Sequence, residues 1–208
     1  MKRTSQALIV LLIAVGAVGL TIGLQQLTAK PIAEQQRALQ NRALLDVLPT
    51  GGYDNQPLEH PLGITSPMLD NSQLLGGYLA TLAGKPSAVV LRSQIDGYGG
   101  RIELLIAIDR NAKLLGVKTL AHTETPSLGG HIGESGNAWI AAFKGLSLDN
   151  PLAWALKRDS GQFDQMAGAT ITSRAVINAI HDALRYFDGH RQALLEPVSP
   201  ACPASALR

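Results

Sequence analysis

The chain has 208 residues, enough for one sizeable domain and a membrane anchor. Its formal net charge is +2, charged residues make up 16% of it and no long basic run occurs, which argues against a nucleic-acid partner. A single cysteine, Cys202, excludes an internal disulfide, a CxxC redox pair and a cysteine-held iron–sulfur cluster, and the five scattered histidines offer no metal-ligand spacing. His122 and His131 read as loop or surface residues rather than ligands. Electron transfer by such a chain would need an added cofactor.

In chain order, the first feature is Thr4–Ala29, which carries no charge; within it Ala7–Leu24 is apolar apart from Thr21. Eighteen helical residues rise about 27 Å, close to a bilayer core of about 30 Å. With Lys2 and Arg3 ahead of it, the segment predicts a single-pass anchor over residues 1–29 of a bacterial inner-membrane protein, its N-terminus cytoplasmic and its domain periplasmic. Lys30 weakens that asymmetry without reversing it. A cleaved signal peptide is the alternative, but its apolar stretch is usually shorter and no Ala-x-Ala site follows Leu24. Pro31 then opens a helix running toward Leu48 and stopping near Pro49. With the Pro-, Gly- and Asn-rich stretch Gly51–Ser72, it forms a stalk and irregular connection over residues 30–72.

Strands are predicted at Leu74–Leu82, Ala88–Ile95, Ile102–Ile108 and Leu114–Leu120, with Asp109-Arg110-Asn111-Ala112 as a hairpin turn. The tight spacing at that turn argues for antiparallel pairing there, and the domain is expected to carry an antiparallel sheet. Helical segments are predicted at Asn137–Lys144, Pro151–Lys157 and after Ser173. Strands first and helices later define an α+β domain over residues 73–195, ahead of a disordered tail over residues 196–208. Trp139 and Phe143, four apart, share one face of a short helix, either as core or against a cofactor edge.

The most informative run is Asp164-Gln165-Met166-Ala167-Gly168-Ala169-Thr170-Ile171-Thr172-Ser173. It precedes Val176, Ile180, Leu184 and Phe187, whose spacings of four, four and three place them on one helical face. Thr172 or Ser173 is a natural N-cap for that helix. Gly168 lets the backbone approach a ligand, and a helix start favours an anion. On the residues alone, the run is either an anion site with a reactive hydroxyl beside it or a plain loop and cap before a core helix.

Asp164-x-x-Ala167-Gly168-Ala169-Thr170 resembles the flavinylation motif of the FMN-binding domain family, usually Asp-x-x-(Ser/Thr)-Gly-Ala-Thr. Ala167 departs from it. His122-Thr123-Glu124-Thr125-Pro126-Ser127-Leu128-Gly129 is similar to the family's His-x-Glu-Thr-Pro-Gly-Leu-Gly loop, with Ser127 in place of a glycine. Gly97-Tyr98-Gly99-Gly100-Arg101-Ile102 resembles a third family segment, so the likeness runs from about Gly97 to Ser173.

That resemblance implies FMN linked to Thr170 through a phosphoester, installed by a flavin transferase using FAD and Mg2+. Gly168 and Ala169 would form the turn beneath it, and Thr172 and Ser173 the helix start that stabilises its phosphate. Arg174 is a further candidate for the phosphate. Thr125 and Leu128 would contact the isoalloxazine ring, with Glu124 near its polar edge. Within the family, the size and single anchor most resemble the G subunits of Rnf (Rsx) ion-translocating electron-transport complexes. The implied role is an electron carrier between neighbouring redox subunits of a membrane complex that couples ferredoxin and NAD oxidation–reduction to ion movement. No Gly-x-Gly-x-x-Gly fingerprint follows a strand, so NAD binding is not expected of this chain. Alternative readings are a membrane-anchored flavin sensor or a non-redox anchored assembly module. The first normally adds transmembrane helices or cluster-binding cysteines, and the second would lack covalent flavin.

Overall fold

The computed structural model describes Gly16, residues 47–150 and residues 154–196. All of the predicted anchor but Gly16, most of the stalk helix and all of the tail but Glu196 fall outside the described residues. Among the described residues, no helix is long and apolar enough to cross a membrane. The chain divides into two units, Met1–Arg42 and Ala43–Arg208, and the sheet, its helices and the site all belong to the second.

Four strands, β1 (Gln73–Leu82), β2 (Lys85–Asp96), β3 (Arg101–Asp109) and β4 (Leu114–His122), form an antiparallel sheet in the order β1-β2-β3-β4. Each neighbouring pair is joined by a short turn, including the expected hairpin between β3 and β4. At the β3–β4 turn, Asp109 Oδ1 accepts hydrogen bonds from the Asn111 and Lys113 N–H groups, and Ala112 takes φ +60°. The register pairs Ile95 with Ile102, and Ile102 with His122, so the β2–β3 turn and the chain leaving β4 emerge at the same end of the sheet.

Both sheet faces are covered. That is why β3 is a nearly continuous apolar run rather than an alternating one. One face, including Val89, Leu91 and Ile106, packs against the long helix that follows the site. The other, including Ala80, Val90, Leu105 and Ala107, is covered by Val47 and Leu48 with Tyr53 and Leu58 packed alongside. The stretch after Pro49 is therefore pinned to β1: Asp54 N–H donates to Thr81 O, Leu62 N–H to Gly77 O, and Leu79 N–H to His60 O. It contains a 3-10 turn, Pro57–Glu59.

Among the described residues three α-helices follow: α1 (Ala138–Ala141), α2 (Thr170–Gly189) and α3 (Arg191–Leu195). The α1 helix is shorter than the predicted Asn137–Lys144. Asn137 caps it through the Trp139 and Ile140 N–H groups, and Gly145 at φ +84° ends the segment. In Pro151–Lys157 the described residues are not an α-helix. Leu156 bridges in parallel to Phe163, Lys157 N–H donates to Phe163 O, and Lys157–Asp159 is a 3-10 turn. Backbone groups committed to a strand-like bridge are lost to helical i to i−4 bonding.

The predicted apolar face of α2 is the core. Val176, Ile180, Leu184 and Phe187 are all fully buried. A second anchor is polar: the buried Asp182 carboxylate accepts from Asn71 N–H at 2.8 Å and from Ser72 Oγ at 3.0 Å, tying the start of β1 to the helix. Next to it, His181 stacks on Trp154, with ring centroids 5.2 Å apart. Burial, assisted by the Arg185 charge, pushes the His181 pKa below its ordinary 6.5, against opposing contributions from Asp182 and Asp70. The unfolded chain then binds more protons than the folded one just below pH 6.5, so acidification through that window favours unfolding. Unfolding followed by circular dichroism between pH 8 and 5 should show stability falling below about pH 6.5, with a shallower fall in His181→Gln. Equal pH slopes in the two proteins would remove His181 from the account.

Candidate functional site

The site is built where three connections meet at one end of the sheet. The β2–β3 turn is closed by Gly97 N–H donating to Gly100 O at 2.7 Å. The chain leaving β4 is fastened to that turn by Thr123 Oγ1, which donates to Gly99 O at 2.9 Å. It then tightens around Thr125, whose carbonyl accepts from the Leu128 and Gly130 N–H groups, and enters a 3-10 helix at Gly129–Gly133.

Glu124 joins all three. Its side chain is buried, with the residue 6% exposed. One carboxylate oxygen accepts from Gly99 N–H at 2.9 Å, and the other from Thr172 Oγ1 at 2.6 Å. A carboxylate removed from water needs such donors, because burial without them costs several kcal/mol. The packing around it leaves no room for a methyl group on two neighbours. A Cβ on Gly97 would lie 2.2 Å from Glu124 Oε1, and one on Gly129 would lie 2.6 Å from Oε2.

The predicted acceptor run forms a turn before α2, with Ala169 N–H donating to Met166 O at 3.0 Å. Gly168 has φ +68°, and a Cβ there would meet Leu128 Cδ2 at 2.7 Å, so the two family segments touch at this residue. The helix begins at Thr170, earlier than predicted, and its N-cap position is Ala169, with no side-chain cap. Neither Thr172 nor Ser173 is the N-cap. The Thr172 hydroxyl is committed to Glu124. The Ser173 hydroxyl folds back on the turn, donating to Ala169 O at 2.8 Å and accepting Met166 N–H at 3.1 Å. Ser173 thereby holds the turn in which Ala167 stands in place of the more usual Ser or Thr.

A cleft of about 310 Å³ opens between these segments, within the roughly 300–1,000 Å³ of small-molecule sites. Of the predicted residues, Glu124, Thr125, Leu128, Gly168, Ala169, Thr170 and Thr172 line it, whereas Ser173 is fully buried behind it. The sequence reading did not nominate Tyr98, Gly129 and Ile171, which also line it. Tyr98, Leu128 and Ile171 are 73%, 40% and 52% exposed, an unusual grouping of large apolar side chains at one rim. The Gly97–Gly100 segment was a usable signal for Tyr98; Ile171 had none, because it lies off the core face of α2.

These features fit FMN. An uncapped helix start suits a phosphate, the apolar rim suits a flat ring, and Thr170 supplies a hydroxyl between them. Arg174 is engaged elsewhere: Nε and Nη2 grip both oxygens of Asp159 at 2.7 and 2.8 Å. Their hydrogen bond holds the Asp159 carboxyl below its ordinary value and raises that of Arg174. Trp139 and Phe143 pack with Phe163, with Phe143 fully buried, and so serve the core rather than the cleft. Among the described residues, no group of three or more His, Cys, Asp or Glu could hold a metal ion.

Residues 97–185 match the FMN-binding domain family, and residues 1–47 match the RnfG N-terminal region. A Pseudomonas aeruginosa protein, named as the G subunit of an ion-translocating oxidoreductase complex, is 46% identical over 204 residues, covering 94% of this chain and 93% of that protein. The chain belongs to this RnfG family. Proteins of the same name from Shewanella loihica and Vibrio cholerae are 40% and 36% identical, the first spanning 82% and the second 90% of both chains compared. The crystal structure of the C subunit of Na(+)-translocating NADH-quinone reductase from Parabacteroides distasonis aligns with 22% identity and a TM-score of 0.43, over 59% of this chain and 63% of that one.

The Glu124 junction of this RnfG family member gives a direct test. Thr172→Val keeps the side-chain shape but removes one donor from a buried carboxylate, which should cost about 1–3 kcal/mol in urea unfolding. A change within about 0.3 kcal/mol would mean that water or another donor already satisfies Glu124.

Proposed function

We propose that this chain is an electron-carrier subunit of a membrane-bound ion-translocating ferredoxin/NAD electron-transport complex. It would carry FMN as a phosphoester on Thr170, installed by a flavin transferase, and exchange electrons with other subunits of the complex. The observation that supports this most is the position of Thr170: it is the first residue of an uncapped helix and lines the same cleft as Glu124, Thr125 and Leu128.

FMN supplies one- and two-electron chemistry that no side chain here provides. The protein's part is to hold and tune it. The backbone N–H groups at the start of α2 would hold the phosphate, and the helix dipole would favour its negative charge. Leu128 and Tyr98 offer apolar contact to the ring, and Thr125 offers a hydroxyl. Glu124, held by Gly99 and Thr172, places a fixed carboxylate at the cleft wall and disfavours extra negative charge nearby. A covalent link prevents cofactor loss outside the cytoplasm, where FMN is not resupplied. The charge-free Thr4–Ala29 segment with Lys2 and Arg3 supports a single inner-membrane anchor with the domain on the periplasmic side.

Thr170→Ala should abolish flavin fluorescence of the denatured band after co-expression with a flavin transferase, while Thr172→Ala and Ser173→Ala, if folded, should retain it. Undiminished labelling of Thr170→Ala would overturn the attachment site. A reporter active only in the periplasm, fused after Arg208, should be active; activity of a cytoplasmic reporter alone would reverse the topology.

A further inference from the structure

Gln165, which does not line the cleft, touches the Thr170 hydroxyl. Thr170 Oγ1 and Gln165 Oε1 are 2.8 Å apart, and Arg158 Nη1 approaches the same oxygen at 3.3 Å. The direction of these bonds follows from the donor inventory. A guanidinium only donates, so the Gln165 atom facing Arg158 must be its carbonyl oxygen. That oxygen has no proton to give, so Thr170 must be the donor in the second bond. The Thr170 hydroxyl is therefore oriented, with its proton directed at Gln165 Oε1 and its lone pairs turned elsewhere. Thr170 is half-buried and lines the cleft together with Ile171. A second, shallower hollow of about 350 Å³, lined by Lys157, Arg158, Asp164 and Gln165, adjoins Gln165 itself. Lys157 in that hollow is paired with Asp164 at 2.6 Å, which leaves the Arg158 contact to orient the Gln165 amide.

We propose that Gln165, oriented by Arg158, is a positioning residue for flavin attachment, holding the Thr170 hydroxyl so that a lone pair faces the incoming phosphorus. This rests on Thr170 being the acceptor. In the step it serves, Thr170 Oγ1 forms a bond to the FMN phosphorus of a flavin adenine dinucleotide. The phosphoanhydride bond to the adenylate breaks and AMP departs with the electron pair; as the new bond forms, the hydroxyl proton leaves its hydrogen bond to Gln165 and passes to a base of the transferase. No redox change accompanies the transfer. Gln165 takes no proton; it removes the rotational freedom of the nucleophile, which acts on the rate of the chemical step rather than on binding.

The test uses the full-length chain, purified in detergent without flavin and incubated with purified flavin transferase, FAD and Mg2+. Initial rates of covalent fluorescence against chain concentration separate kcat from KM. Gln165→Ala and the similarly sized Gln165→Leu should each lower kcat about tenfold with KM within about twofold. Gln165→Glu keeps an acceptor for both donors and should restore kcat to within about threefold of wild type. Arg158→Ala should slow attachment less than Gln165→Ala, since it only loosens the amide. A wild-type rate in Gln165→Ala and Gln165→Leu, or a Glu variant as slow as the Leu variant, would overturn the proposal. Thr170→Ala separates the two readings: labelling that persists there removes the acceptor assignment itself. Labelling that is lost there but unchanged in Gln165→Leu removes only the positioning role.

Discussion

A buried carboxylate with two neutral donors is the constraint around which the site is organised. Glu124 takes one hydrogen bond from a turn 25 residues earlier and another from a helix 48 residues later. Neither partner is close in sequence, and burial leaves the charge dependent on both. The junction therefore holds only when the β2–β3 turn, the loop after β4 and the first turn of α2 converge together. Gly97 and Gly129 follow from the same demand, because a side chain at either would displace the carboxylate oxygens.

The sheet makes that convergence geometrically cheap. An antiparallel meander returns every second connection to the same end, so the 97–100 turn and the chain leaving β4 are neighbours by topology alone. The α2 helix crosses the buried sheet face on Val176, Ile180, Leu184 and Phe187, and Asp182 secures it near Ser72. With the helix body held on the sheet, its start is delivered to the end where Glu124 waits. The turn before α2 then needs only local help, which Ser173 supplies from within the first turn. The cleft is lined mostly by connections, and the sheet and helix locate them.

Much of this could be read from the residues. The four strands were placed to within a few residues, because apolar runs separated by Gly, Asp and Asn mark where the strands begin and end. The core face of α2 followed from its periodicity. The start of α2 did not: Thr172 and Ser173 are good N-caps by composition, but Glu124 and Ala169 claim their hydroxyls, and only the tertiary structure brings Glu124 there. The helix predicted at Pro151–Lys157 failed, over its described residues, for a similar reason. Leu156 finds a strand-like partner in Phe163 that no local propensity announces. At the site, the family segments pointed to Glu124, Thr125, Leu128 and Thr170, all of which line one cleft. Ile171 and Gln165 escaped notice because an exposed isoleucine and a surface glutamine carry no pattern until the hydroxyl beside them is located in space.

The central claim is that two segments about forty residues apart enclose one flavin that is bonded to Thr170. A crystal structure of the chain after flavin attachment tests it most directly. Electron density should run unbroken from Thr170 Oγ1 through a phosphate at the start of α2 to a ring against Leu128 and Tyr98. Glu124 should still bridge Gly99 and Thr172. Density joined to another residue, or a ring lying away from the 124–129 loop, would contradict the account.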